Sequence, residues 1–182
     1  MKVIGVVGLP ASGKGEFSKI AAAMGIPVVV MGDVIRNIVK KAGLEPTDAN
    51  LGTIANKLRA ERGMDAIAHL CIAAIEEQHA PLVLVDGIRG DSEVRVFREY
   101  FPTFVLIGID SSFETRLKRL GTRGRSDDVG SAGALRVRDE RECSWGLGEA
   151  LKLADIHITN DGGLESYAEK VRALLAEQGG QT

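Results

Sequence analysis

The chain has 182 residues, 45% hydrophobic and 26% charged, with a formal net charge of −2 at pH 7, which fits one soluble globular domain with a substantial core. That balance excludes a general pull toward nucleic acid or an anionic membrane, and no stretch approaches the roughly 18 apolar residues of a membrane span. The two cysteines, Cys71 and Cys143, fall in no Cys-x-x-Cys or Cys/His spacing, so a disulfide framework and a zinc site are both disfavoured and the reducing cytoplasm is the expected location.

The opening MKVIGVVG is too short an apolar run for a signal peptide and reads instead as a first buried strand over 2–8. A helix over 14–24 follows, then a strand over 26–32 and helical patterns over about 33–42, 49–61 and 64–79. The third strand is PLVLVDG at 81–87, with a helix over 91–99 behind it. TFVLIGID at 103–110 is the fourth strand, followed by a helix over 112–120, and a long helical stretch spans roughly 131–152. ADIHITND at 154–161 is the fifth strand, a helix covers 164–177, and EQGGQT reads as a frayed tail. The strands are continuously apolar rather than alternating, as expected when helices cover both faces of a parallel sheet. The alternation predicts a single α/β domain over 1–182: a five-stranded parallel sheet with helices on both faces and right-handed crossovers. Two connections exceed what a crossover needs, about 33–80 and 121–153, and extra chain at the carboxyl ends of strands is where such sheets build ligand sites.

GLPASGKG, residues 8–15, lies between the first strand and first helix and matches G-x-x-x-x-G-K. Gly8 and Gly13 let the backbone curl, so that the amides of Leu9, Pro10's neighbours, Ala11, Ser12 and Gly15 face phosphate oxygens. The helix start adds its positive end, and Lys14 reaches the β- and γ-phosphates. Asp86 ends the third strand, where a carboxylate orients Mg²⁺. Arg36 follows the second strand and Arg89 the third; if those strands are neighbours, two guanidinium forks converge on one crevice suited to a phosphate. Arg59 and Arg62 read as solvated helix charges. Seven arginines fall within 116–141, namely Arg116, Arg119, Arg123, Arg125, Arg136, Arg138 and Arg141. Without interleaved aromatics they fit nucleic acid poorly. They fit better a lid over about 119–145, hinged at Gly121, Gly124, Gly130 and Gly133, that closes on ATP phosphates.

These features resemble the nucleoside-monophosphate-kinase group of P-loop kinases, on GxPxxGKG, on G-D-x-x-R after the second strand, on D-G-x-R after the third and on the Arg-rich lid. In detail the chain is similar to an archaeal family of P-loop kinases related to dephospho-CoA kinase and adenylate kinase, through GLPASGKGE, MGDVIR, DGIRGDSEV, RGRSDD and GLGEALKLADIHITNDG. The resemblance implies ATP bound by residues 8–15, an acceptor held by Arg36 and Arg89 in the 33–80 insertion, and Arg119 and Arg123 acting from the lid. It also implies that Asn160 to Gly163 lie near the adenine. Gly15, where such loops commonly carry Ser or Thr, belongs to the nucleotide-kinase variety, in which water and carboxylates such as Asp86 carry more of the magnesium. Glu16 departs from the Thr usual at its position in adenylate kinases.

The expected activity is ATP- and Mg²⁺-dependent transfer of the γ-phosphoryl group to a small phosphate-bearing acceptor, with no membrane partner. Alternatives are dephospho-CoA-kinase-like transfer to a ribose hydroxyl and a nucleotide-binding regulator or slow ATPase. Asp33 divides the first two: it is either a base for a hydroxyl acceptor or the N-cap of the next helix. His69, His79, His157, Trp145 and Cys143 read as packing or surface residues.

Overall fold

The computed structural model describes residues 1–123 and 131–180. Strands β1 (Lys2–Val7), β2 (Val28–Val30), β3 (Leu82–Asp86), β4 (Phe104–Asp110) and β5 (Ile156–Thr159) form one all-parallel sheet in the order β2-β3-β1-β4-β5. Alternate residues of each strand enter different cores. Val3, Val7, Val83, Val85 and Leu106 face one side, and Ile4, Val6, Leu84, Ile107 and Ile109 face the other. Two buried faces explain why these runs are continuously apolar.

Nine helices lie among the described residues: α1 (Lys14–Ala23), α2 (Met31–Lys41), α3 (Asp48–Arg62), α4 (Ala66–Glu76), α5 (Asp91–Tyr100), α6 (Phe113–Arg123), α7 (Ala132–Ser144), α8 (Leu147–Lys152) and α9 (Leu164–Gly180). On one face α1 and α9 bury Phe17, Ile20, Tyr167, Val171 and Leu175. On the other, α2 presents Met31, Ile35 and Val39 at helical spacing, beside Cys71 and Ile75 of α4, Phe97 of α5 and Leu147 of α8. Helix α3 packs outside α2 and α4 through Leu51, Ile54 and Leu58. No helix among the described residues is long and apolar enough to cross a membrane.

The strands and helices fall where the periodicity puts them, with two corrections. The second strand is only three residues long, because Val30 passes directly into α2 at Met31. The stretch over 131–152 is two helices rather than one. Gly146, at φ 96°, turns the chain between them, and a Cβ there would lie 2.6 Å from Asp91 Oδ1. The turn aims α7 across the carboxyl ends of the central strands. In register, Asp86 stands level with both Val6 and Val30, so β1, β2 and β3 deliver their following loops to one place.

Candidate functional site

The loop after β1 curls back on itself through the Ser12 amide, which donates to Leu9 O at 3.1 Å. Gly13, at φ 116°, is the N-cap of α1, and a Cβ there would collide with the Asn160 side-chain amide. Asn160 donates to Ser12 O at 2.8 Å and Tyr167 Oη to Gly13 O at 3.3 Å, so β5 and α9 brace the loop from behind. Burial pushes the Lys14 ammonium down to about 8, against the opposing pull of Glu142 and Asp86. Its Nζ donates to the carbonyls of Gly8 and Leu9. Ser12 Oγ is buried without a hydrogen-bond partner. A loop that presents a buried ammonium with a lowered pKa and an orphaned hydroxyl fits a polyphosphate.

Pro10, Ala11, Ser12, Gly13, Lys14 and Gly15 line a cavity of about 600 Å³ together with Asp86, Arg36, Arg89 and Arg119. Every predicted site residue with a described side chain therefore adjoins this cavity, except three. Gly8 and Leu9 contribute carbonyls to Lys14 from behind the loop, and Asp33 is not in the wall. Asp86 accepts from Ser18 Oγ at 2.8 Å, and Ser18 stands one turn after Lys14. Ser18 thus fixes the orientation of the Asp86 carboxylate from α1. No group of three or more His, Cys, Asp or Glu placed to hold a metal ion occurs among the described residues. One carboxylate beside a phosphate cradle fits Mg²⁺, which keeps waters and substrate oxygens as ligands. Glu16 faces the same cavity and pairs with Lys19 at 3.1 Å.

Helix α2 begins at Met31 after Val30, so Asp33 is its third residue and not its cap. Asp33 is exposed and ion-paired with Arg36. The arginine-rich segment divides. Arg119 donates to Asn160 O and Oδ1, each at 2.9 Å, and reaches Ser12 O, beside the loop as expected. Arg116, read as a lid residue, is instead an internal strut. It is 3% exposed, forks onto Asp139 of α7 at 2.8 and 2.7 Å, and donates to Pro10 O. The side chain of Arg123 lies outside the described residues, as do Gly124, Arg125 and Gly130.

A second chamber of about 800 Å³ opens beside the first and shares Gly32, Arg36, Gly87, Arg89, Arg138 and Glu142 with it. Adjacency of β2 and β3 brings Arg36 and Arg89 together as expected. Its apolar wall includes Met31, Ile35, Leu51 and Ile67. Arg59, expected to be solvated, has a side chain only 8% exposed and pairs with Glu93 at 3.5 Å. Glu93, 1% exposed, accepts the Arg89 backbone N–H at 2.7 Å, and burial raises its carboxyl above the usual range. Glu142, also buried, lies 3.4 Å from Arg138 and 3.7 Å from Arg89. Trp145 lines the chamber with three guanidiniums around its ring. Glu93 and Glu142 escape a reading of the sequence because acids near helix ends ordinarily face solvent; the one signal is Glu93 standing four residues after Arg89.

The model of the AAA domain family matches residues 7–132. A UPF0200 protein of Methanoregula boonei is 71% identical over 175 residues, covering 96% of each chain. Among solved structures, a dephospho-CoA kinase of Campylobacter jejuni superposes with a TM-score of 0.65 over the whole of both chains at 18% identity. A shikimate kinase of Bacteroides thetaiotaomicron reaches 0.62 at 14% identity, covering 96% of this chain and 98% of its own. Identities that low carry the fold, a P-loop kinase sheet with its strand-following phosphate loop, and nothing finer. The chain belongs to the AAA domain family and to the archaeal UPF0200 proteins.

Proposed function

We propose that the protein is an ATP-dependent phosphotransferase that moves the γ-phosphoryl group to a small phosphate-bearing acceptor, in the manner of a nucleoside monophosphate kinase. The observation that carries this is the shared wall. A phosphate-loop cavity and a larger chamber meet at Arg36, Arg89, Arg138 and Glu142, and an ATPase without an acceptor has no use for the second chamber.

In this reading the loop amides and Lys14 hold the ATP phosphates, while Arg36 and Arg89 fix the acceptor phosphate beside them. An anionic phosphate is already a nucleophile, so positioning and charge neutralisation do the work. One acceptor oxygen bonds to the γ-phosphorus as the bond to the β,γ-bridging oxygen breaks, and ADP leaves with that electron pair. Arg119 from α6 and Arg138 from α7 neutralise the charge that spreads over the equatorial oxygens. The resemblance to P-loop kinases adds Arg123, at the end of α6, to this pair. Asp86, steadied by Ser18, would hold Mg²⁺, which would supply charge withdrawal from the leaving group. Asp33 serves by holding Arg36.

The exposed carboxylate of Asp33 beside Arg36 allows a second reading, dephospho-CoA-kinase-like, in which Asp33 takes the proton of a ribose hydroxyl. A coupled assay of ADP release against a panel of nucleoside monophosphates and dephospho-CoA separates them. Release that depends on a nucleoside monophosphate supports the first reading. Release with dephospho-CoA alone installs the second, and release indifferent to every acceptor overturns both.

A further inference from the structure

Each guanidinium in the larger chamber has a carboxylate partner, with one exception. Arg36 pairs with Asp33, Arg59 with Glu93, and Arg89 and Arg138 with Glu142. Arg141 also lines the chamber, and among the described residues no carboxylate pairs with it. What holds it is Trp145: the guanidinium lies 5.6 Å from the ring centroid. Arg59 and Arg89 lie 5.5 and 5.7 Å from the same centroid. These residues come from α3, from the loop after β3 and from α7, so the cluster is assembled by the tertiary fold.

Gathering three cations around one indole is electrostatically costly, and two carboxylates answer only part of that charge. Stacking on an aromatic face fixes the plane of a guanidinium and leaves its N–H edge able to bond an oxyanion. With three guanidiniums within 5.7 Å of its centroid, the indole is set among cations. The cluster is also separate from the phosphate seat. Arg36, Arg89 and Arg138 adjoin both cavities, whereas Arg59, Arg141 and Trp145 adjoin the larger chamber alone. A chamber of about 800 Å³ lies in the upper range for ligand pockets, with room for more than one phosphate group.

We infer that Arg141, held on Trp145 and backed by Arg59, is a second anion subsite, and that the acceptor carries two separated oxyanions. The first is the phosphate that receives the transferred group, seated at Arg36 and Arg89. The second is a phosphate or carboxylate farther along the molecule, seated at Arg141. This rests on the reading of the larger chamber as the acceptor site.

Trp145 is the single tryptophan of the chain, so its fluorescence reports on the chamber directly. The full chain, with its loop cavity saturated by a non-hydrolysable ATP analogue and Mg²⁺, is titrated with each nucleoside 5′-monophosphate and its 3′,5′-bisphosphate. The expected result is that a two-anion ligand binds about tenfold tighter than the best monophosphate, the increment of one charge-assisted hydrogen bond. In Arg141→Gln that ratio collapses toward one. Arg141 is exposed, so the variant keeps the fold, which circular dichroism checks, and calorimetric titration provides the same ratio if its fluorescence change is small. Equal affinity for one-anion and two-anion ligands, or a preference that survives Arg141→Gln, overturns the inference and leaves the acceptor reading intact. If no ligand of either kind binds the saturated protein, both fall.

Discussion

Replacing Asp139 with Asn tests whether α7 is held over the phosphate loop by a buried ion pair. Arg116 is 3% exposed. Its Nη1 and Nη2 donate to Asp139 Oδ1 and Oδ2 at 2.8 and 2.7 Å, and Nη1 also donates to Pro10 O at 3.2 Å. One guanidinium therefore ties α6, α7 and the loop together. Asparagine removes the compensating charge and offers one acceptor oxygen where the fork needs two. Breaking one side of a buried pair costs about 3–5 kcal/mol. Asp139 keeps some solvent contact, and Arg116 keeps Pro10 and the Phe113 ring, so the loss belongs at the lower end, about 3 kcal/mol. For a domain of this size that lowers Tm by about 6–12 °C. Urea unfolding followed by circular dichroism measures it. The double variant Arg116→Met/Asp139→Leu fills the same space with apolar atoms and recovers most of the loss. A loss for Asp139→Asn within the range of an exposed pair, below about 1 kcal/mol, would refute the reasoning. So would a double variant no more stable than the single one.

Other predictions concern the site itself. The depressed Lys14 value means that the unfolded chain binds the proton more tightly between pH 8 and the ordinary lysine value. Stability conferred by Lys14 therefore rises with pH across that window, by about 3 kcal/mol in total. The urea midpoint of the wild type should climb relative to Lys14→Met, and a constant difference between the two would contradict this. Asp86→Asn should raise the Mg²⁺ concentration for half-maximal ADP release by about 10–100-fold, with a smaller rise for Ser18→Ala; an unchanged requirement removes Asp86 from the metal site. Arg36→Ala and Arg89→Ala should each raise the acceptor KM by about 10–100-fold while moving that of ATP far less. Equal losses for both substrates would sink the assignment of the larger chamber.

The parts of the molecule that a reader of the sequence can see are those encoded locally. Buried parallel strands announce themselves as short apolar runs, and the phosphate loop is one contiguous segment whose glycines, lysine and following helix stand in order. Asp86, Arg36 and Arg89 were legible for the same reason, since Asp86 ends a strand and the two arginines follow strand ends within a few residues. The far wall of the larger chamber, beyond Arg36 and Arg89, was not. Arg59 lies on a helix whose sequence looks solvated, and only packing of α3 against α2 and α4 turns it inward onto Glu93. Trp145 gains its partners from three elements that are far apart in the chain. Arg116 looked like its neighbours in an arginine-rich run, yet a single acidic partner on α7 makes it a strut. Ser18 reaches Asp86 through a contact across 68 positions of sequence, which no local pattern announces.

The central claim is transfer from one cavity to the other, and following the γ-phosphoryl group itself tests it most directly. ATP labelled at the γ-phosphorus is incubated with the protein, Mg²⁺ and each nucleoside monophosphate, and the products are separated. The label should appear in a nucleoside diphosphate, at a rate that falls when Arg36 or Arg89 is replaced with Ala. Label recovered only as inorganic phosphate, whatever acceptor is present, would contradict the account.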